Sequence, residues 1–193
     1  MNINSLLLTK PMVSVLSEHY CFAYFVLSVQ QNWHSSRLFL SLHKKTMITA
    51  LSDEHFMKLA LAEAEKARMA GEVPVGAIVV CNNVIIARAH NQTEILHDVT
   101  AHAEMLALTA ASNYLGGKYL NDCTIFVTLE PCPMCAGALN WAQIGRIVYG
   151  AADDKKGFFR FGKEILHPKT KVEFGILQDE SSAIITKFFK SKR

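Results

Sequence analysis

Two short segments of this 193-residue chain hold residue types that could do chemistry: Thr100-Ala101-His102-Ala103-Glu104 and Glu130-Pro131-Cys132-Pro133-Met134-Cys135. Cys132 and Cys135 are i, i+3 neighbours in the first turn of an expected helix, so both sulfurs leave from one face. The partial positive charge of a helix N-terminus favours thiolates, and thiolates are what bind metals. Alone, a Cys-x-x-Cys pair is equally a redox dithiol, half of a structural zinc site or two core thiols. His102, opening another helix, is the natural third ligand. Cys, Cys and His with a fourth position left for water describe a catalytic zinc, not a structural one. Cys81 and Cys123 fall in expected strands and complete no four-ligand set. Glu104 cannot share the face of His102, because residues two apart on a helix diverge. It is expected to border the metal-bound water, take its proton and return it to a leaving amine. A lone His or Glu at a helix start is commonly structural; their coincidence with Pro-Cys-x-x-Cys is what points to catalysis.

The elements that must position these residues are legible from Met47 onward. Ser52 or Asp53 caps a helix whose apolar residues Phe56, Leu59, Ala60, Ala64 and Ala67 recur at helical spacing before Gly71. Val75–Val80 and Val84–Ala87 are β-branched runs parted by Cys81-Asn82-Asn83, a hairpin signal. An irregular stretch from Asn91 to Val99 leads to a helix with Thr100 as its expected N-cap, stopping before Gly116-Gly117. Cys123–Leu129 reads as a buried strand, then an Ala-rich helix runs through Gln143, then a strand over Arg146–Tyr149. A weaker strand spans Val172–Leu177 and a last helix starts near Asp179. The order α-β-β-α-β-α-β-β-α predicts one α/β domain, three layers α/β/α around a mixed sheet.

Composition agrees with that class and narrows the surroundings. Half of the residues are apolar, 19% are charged, and the formal net charge is +3, which excludes disordered and collagen-like chains. Five cysteines are odd in number and too sparse for a disulfide scaffold, so a reducing compartment, read as the cytoplasm, fits. The charge is unevenly spread. Residues 1–46 carry four basic residues against Glu18 alone; 47–154 hold six basic and twelve acidic residues; 155–193 hold ten basic and four acidic. Residues 1–46 show neither helical nor strand periodicity. They read as an extension outside the catalytic domain of 47–193, either poorly ordered or translated from a start upstream of the true one at Met47. Their apolar run Cys21–Leu27 is far short of the roughly 20 residues of a bilayer helix, so no membrane anchor is expected.

His102-x-Glu104 with Pro131-Cys132-x-x-Cys135 matches the signature of the zinc nucleobase deaminases. More specifically, the chain from about Asp53 to its end resembles the bacterial tRNA-specific adenosine deaminases. The stretches that carry the resemblance are Glu72–Ala77, His97–Glu104, Thr128–Ala138 and the Phe188-Phe189 pair. It implies a cytidine-deaminase-like fold with a mixed five-stranded sheet, a homodimer, one zinc ion per chain, and conversion of the wobble adenosine in a tRNA anticodon stem-loop to inosine. It further implies His102, Cys132 and Cys135 as zinc ligands, Glu104 as proton shuttle to hydroxide attack at the purine C6, and Asn91 as the side chain holding the flipped base. An amide suits that task because it both donates and accepts. His97, just ahead of the zinc helix, is a candidate substrate contact. Two departures stand out: Val99 where many relatives have proline, and a shorter, divergent Lys155–Phe161.

Zinc chemistry alone does not choose the substrate, since the same attack serves free guanine or cytosine-type molecules. The basic C-terminal fifth favours RNA. Lys155, Lys156, Arg160 and Lys163, with Lys187, Lys190, Lys192 and Arg193, could meet phosphates, while Phe188 and Phe189 stack on anticodon bases or anchor a helix to the core. A reading from another class, a redox or metal-sensing Cys-x-x-Cys protein, leaves Glu104 without a task.

Overall fold

A computed structural model describes residues 51–192, so the expectations for residues 1–46 lie outside the described residues. Helix α1 (Asp53–Met69) starts where Ser52 Oγ accepts the backbone N–H of His55 at 3.2 Å, satisfying one donor a helix start leaves free. Strands β1 (Gly76–Cys81) and β2 (Val84–His90) form the expected hairpin. Its two turn residues, Asn82 and Asn83, both have positive φ, 51° and 63°, the tight-turn geometry asparagine tolerates. Helix α2 (Ala103–Leu115) ends on Gly116 in the left-handed region. Strand β3 (Cys123–Leu129), helix α3 (Pro133–Trp141) and strand β4 (Arg146–Ala151) follow. Two 3-10 turns, Phe158–Phe161 and Lys163–Ile165, lead to β5 (Lys171–Phe174) and helix α4 (Gln178–Ser191).

The sheet order is β2-β1-β3-β4-β5. β1 runs antiparallel to both β2 and β3, whereas β3, β4 and β5 are parallel, so the sheet is mixed and five-stranded, as expected. Alternation along the strands makes the layers. Ala77, Val79, Ile125, Val127, Ile147 and Tyr149 point into one core with α2 and α3; Ile78, Val80, Phe126 and Val148 point into another beneath α1. Helix α4 joins α1 on that second face. Gly76 allows α1 to lie directly on β1, because a Cβ there would collide with the backbone of Ala60 and Ala64. Among the described residues, no helix is long and apolar enough to cross a membrane.

Three boundaries differ from expectation. Thr100 does not cap α2: its N–H and hydroxyl both donate to Asp98 Oδ1, at 2.8 and 2.7 Å, and the helix begins two residues later with His102 as N-cap. The side-chain turn at Asp98 captures the residue that would otherwise have capped the helix. Helix α3 stops at Trp141, short of Gln143, which has φ 51°. β5 stops at Phe174, because Gly175 (φ 88°) and Leu177 (φ 52°) turn the chain into α4.

Candidate active site

His102 and Cys132 are the N-caps of α2 and α3, and neither side chain caps its own helix. Both are therefore free to face one another across the C-terminal end of β3. Pro133 at the first position of α3 fixes the helix entry and leaves Cys132 extended, with φ −73° and ψ 168°. The sulfur of Cys132 lies 3.7 Å and that of Cys135 3.5 Å from His102 Nδ1. These three ligand atoms all fall within 4.8 Å of one another. Two helix N-termini converge here, each adding positive potential beside the sulfurs.

The protonation pattern suits a cation. The Cys132 thiol is pulled down to about 4 by hydrogen bonding from Cys135, with His102 adding to the effect. Cys135, the donor of that pair and buried, is pushed well up, and His102 is raised by its hydrogen bond with Cys132. The trio thus holds protons that a divalent cation would displace. Two sulfurs and one imidazole nitrogen form the borderline-soft donor set zinc prefers, and three ligands leave a coordination position open. The residues fit the ion. Cys81 and Cys123 are excluded from it; they are register partners across β1 and β3, and burial pushes the Cys123 thiol up to about 12.

Glu104 is the second residue of α2 and only 3% exposed. Burial pushes its carboxyl up to about 6, well placed for a group that must take and return a proton near neutral pH. It opens, with His102 and Cys132, onto a cavity of about 340 Å³ whose walls include Val73, Val75, Asn91, Thr93, Leu129, Glu130, Asp153 and Lys156. That is the scale of a small-molecule or nucleobase pocket. Apolar walls with a few polar groups suit a planar heterocycle.

Two buried carboxylates that sequence reasoning passed over hold the pocket's sides. Glu130 accepts the backbone N–H of Asp153 at 3.0 Å and of Phe159 at 2.9 Å, tying down the loop after β4. Glu72, fully buried, accepts from Asn91, Thr93 and the backbone N–H groups of Glu94 and Ile95, anchoring the segment after β2. The available signal was a carboxylate set among apolar residues and prolines, Glu72-Val73-Pro74 and Leu129-Glu130-Pro131. A fold-level placement was needed to see what each one anchors.

Of the expected site residues, the structure brings His102, Cys132, Cys135, Glu104 and Asn91 together. His97 lies in an exposed turn with φ 50° and does not line the cavity. Lys155 and Arg160 are exposed on the loop after β4, where Arg160 Nη1 donates to the carbonyls of Asp154 (2.9 Å) and Lys155 (3.3 Å). Their neighbour Lys156 is the basic residue that reaches the cavity wall. Phe188 is only 8% exposed, with Phe189 packed edge-on against it at 5.4 Å between ring centres; Phe189 is the exposed member of the pair.

Comparison with known proteins agrees with this geometry. Residues 51–151 match the cytidine and deoxycytidylate deaminase zinc-binding region. The chain is 43% identical over 144 residues to a tRNA-specific adenosine deaminase of Agrobacterium fabrum, covering 72% of this chain and 95% of that protein. A solved structure from a study of A-to-I editing by tRNA:A34 deaminases at the wobble position of transfer RNA is 43% identical, with a TM-score of 0.64 over 67% of this chain and 98% of that one. A guanine deaminase from Nitrosomonas europaea shares the fold at 24% identity and a TM-score of 0.61, covering 71% of this chain and 84% of that one.

Proposed function

Because the chain belongs to the tRNA-specific adenosine deaminases of the cytidine and deoxycytidylate deaminase family, we propose that it hydrolyses the wobble adenosine of a tRNA anticodon stem-loop to inosine, releasing ammonia. The observation that carries this reading is the His102, Cys132 and Cys135 cluster beside a buried carboxyl in a base-sized cavity. His102, Cys132 and Cys135 hold one zinc ion per chain. Zinc bound there would supply Lewis acidity, lowering the pKa of a water to about 7.

Glu104 moves the protons. Its carboxylate takes one from the attacking water and delivers it to the ring nitrogen beside C6, then carries the second to the departing amine; the water oxygen stays on C6 and ammonia leaves. Burial supports this role, since a carboxyl near 6 both accepts and returns protons at neutral pH. Val73, Val75 and Leu129 exclude bulk water from the bound ring, and Asn91 orients it.

RNA outside the cavity meets Lys155, Lys156, Arg160 and Lys163 on the loop after β4, and Lys187 and Lys190 on α4. All are exposed. Phe189 is the ring available for stacking, with Phe188 packed edge-on against it, and His97, exposed outside the cavity, is a further contact for the RNA. A homodimer is supported by the face between α2 and α3, where Met105, Leu108, Tyr119, Ala138 and Trp141 form an apolar concavity and Trp141 is 84% exposed. Sparse free thiols and a tRNA substrate support action in the cytoplasm. Residues 47–193 are the catalytic unit of this reading.

The deciding measurement is deamination by the zinc-loaded protein of an anticodon stem-loop with a wobble adenosine, beside guanine and cytidine. Conversion of the stem-loop, weakening as salt rises, is expected. Rapid deamination of a free base with an untouched stem-loop would overturn the tRNA reading.

A further inference from the structure

Glu72 is 0% exposed and, among the described residues, forms no ion pair. Its Oε1 accepts the backbone N–H groups of Glu94 at 2.9 Å and Ile95 at 2.8 Å. Its Oε2 accepts Asn91 Nδ2 at 3.0 Å and the Thr93 hydroxyl at 3.3 Å. Asn91 Nδ2 donates its other hydrogen to Thr93 Oγ1 at 3.1 Å. Glu72, Asn91 and Thr93 thus form a closed triangle in which each hydrogen has one destination. Both amide hydrogens of Asn91 and the single hydroxyl hydrogen of Thr93 are consumed inside it.

This fixes which end of the amide faces the pocket. Turning Asn91 over would set its carbonyl oxygen against a carboxylate oxygen, two acceptors with no hydrogen between them, at a buried position where an unmade hydrogen bond is costly. Oδ1 is therefore the free end. Asn91 is 5% exposed and lines the cavity, and the one buried side-chain polar atom without a partner among the described residues is Ser181 Oγ. Asn91 Oδ1 has no partner among the described residues and is not sealed off, and the cavity is the space that Asn91 lines.

We propose that Glu72 is a positioning residue that locks the polarity of Asn91, so that the pocket offers the bound nucleoside a hydrogen-bond acceptor at this point and never a donor. The inference rests on the reading that Asn91 orients the nucleoside, and it narrows that role. The general capacity of an amide to donate and accept is cut to acceptance alone. The nucleoside group that meets Asn91 must then carry a hydrogen: an amine, a hydroxyl, or a ring nitrogen once protonated. An unprotonated ring nitrogen presented there is rejected.

Exchanging the two side-chain chemistries tests this. In Glu72→Gln the introduced amide must keep its oxygen for the N–H groups of residues 94 and 95, so its NH2 turns toward Asn91. That inverts the Asn91 amide and points a donor into the cavity. In the double variant Glu72→Gln/Asn91→Asp, the same NH2 donates to one carboxylate oxygen and the other returns an acceptor to the cavity, with the total charge unchanged. For the full-length zinc-loaded protein on the stem-loop, Glu72→Gln is expected to lower kcat/KM about 10- to 100-fold, mainly through KM, and the double variant to recover most of that loss. A purely structural role for Glu72 would give no recovery from a second substitution. A single variant within about twofold of wild type, or a double variant no better than the single one, overturns the proposal.

A readout independent of turnover and of the variants' folding is the side-chain amide of Asn91 in the 15N-labelled wild-type chain. Both Nδ2 hydrogens are expected to be protected from solvent exchange; rapid exchange of either overturns the lock. A wild type that leaves the stem-loop unconverted sinks the substrate reading, while the amide exchange still decides the orientation of Asn91.

Discussion

Gly157 lies directly against the buried carboxyl of Glu130, so closely that a Cβ at position 157 would occupy the place of the carboxyl group. The carboxyl cannot swing aside freely, because it holds the N–H groups of Asp153 and Phe159. Gly157→Ala should therefore detach the loop carrying Lys156 from the cavity wall. We expect a stability loss of about 1–3 kcal/mol in denaturant midpoint measurements and a fall in kcat/KM of at least tenfold. Unchanged activity would mean that this loop has no part in the pocket.

Glu104→Gln keeps the shape of the buried side chain and removes its ability to cycle a proton. Metal analysis should find zinc retained at wild-type stoichiometry, with turnover reduced by about 10²- to 10⁴-fold. Substantial activity in this variant would refute the proton-shuttle role.

Zinc loading should release protons. At neutral pH Cys132 is already a thiolate, whereas Cys135 is pushed well above its ordinary range and must release its proton to the buffer when the ion binds. Apparent zinc affinity is thus expected to weaken as pH falls, about tenfold per unit for each proton displaced. Calorimetry in buffers of different ionisation enthalpy counts those protons directly. Cys135→Ala, or chelation of the wild type, should abolish both zinc content and deamination.

Arg146 holds the carboxyls of Asp53, at the start of α1, and Glu173, in β5, and its bonds to them depress both below their usual range. A depressed carboxylate contributes stability that is present above its unfolded pKa of about 3.9 and is lost as pH falls through the lower folded value. Asp53→Asn should consequently cost about 0.2–1 kcal/mol at pH 7, given partial exposure of the pair, and that cost should shrink as pH falls through the lowered folded value of Asp53. A cost that persists or grows at low pH would contradict the pairing.

Trp141→Glu places a charge on the exposed apolar face between α2 and α3. Sedimentation should show the wild type as a dimer and this variant shifted toward monomer. A chain truncated to begin at Met47 should keep zinc and turnover; loss of either assigns residues 1–46 a part in the catalytic unit.

The element order and the pairing of His102 with Cys132 and Cys135 were legible because each depends on local signals: periodicity, caps, and ligand spacing along one helix turn. The start of α2 shifted through side-chain competition, Asp98 taking the hydrogens of Thr100, while α3 and β5 ended early where Gln143, Gly175 and Leu177 take positive φ. What local pattern could not show was which distant segments a buried carboxylate would gather. Glu72 reaches 19 residues ahead to Asn91, and Glu130 29 residues ahead to Phe159. The Phe188-Phe189 pair had two readings in the sequence that differ only in burial, and burial is a property of the folded α4 surface.

Glu72, Glu104, Glu130 and the two sulfurs crowd negative charge inside and behind the cavity, and among the described residues Lys156 at its wall is the one basic side chain lining it apart from His102. Even with a dication bound, such an interior repels phosphate. The exposed lysines lie outside, on the loop after β4 and on α4. On the function proposed above, a nucleotide approaching this surface would be electrostatically sorted into its parts, with the backbone retained on the outer skin and the uncharged ring alone admitted to the interior.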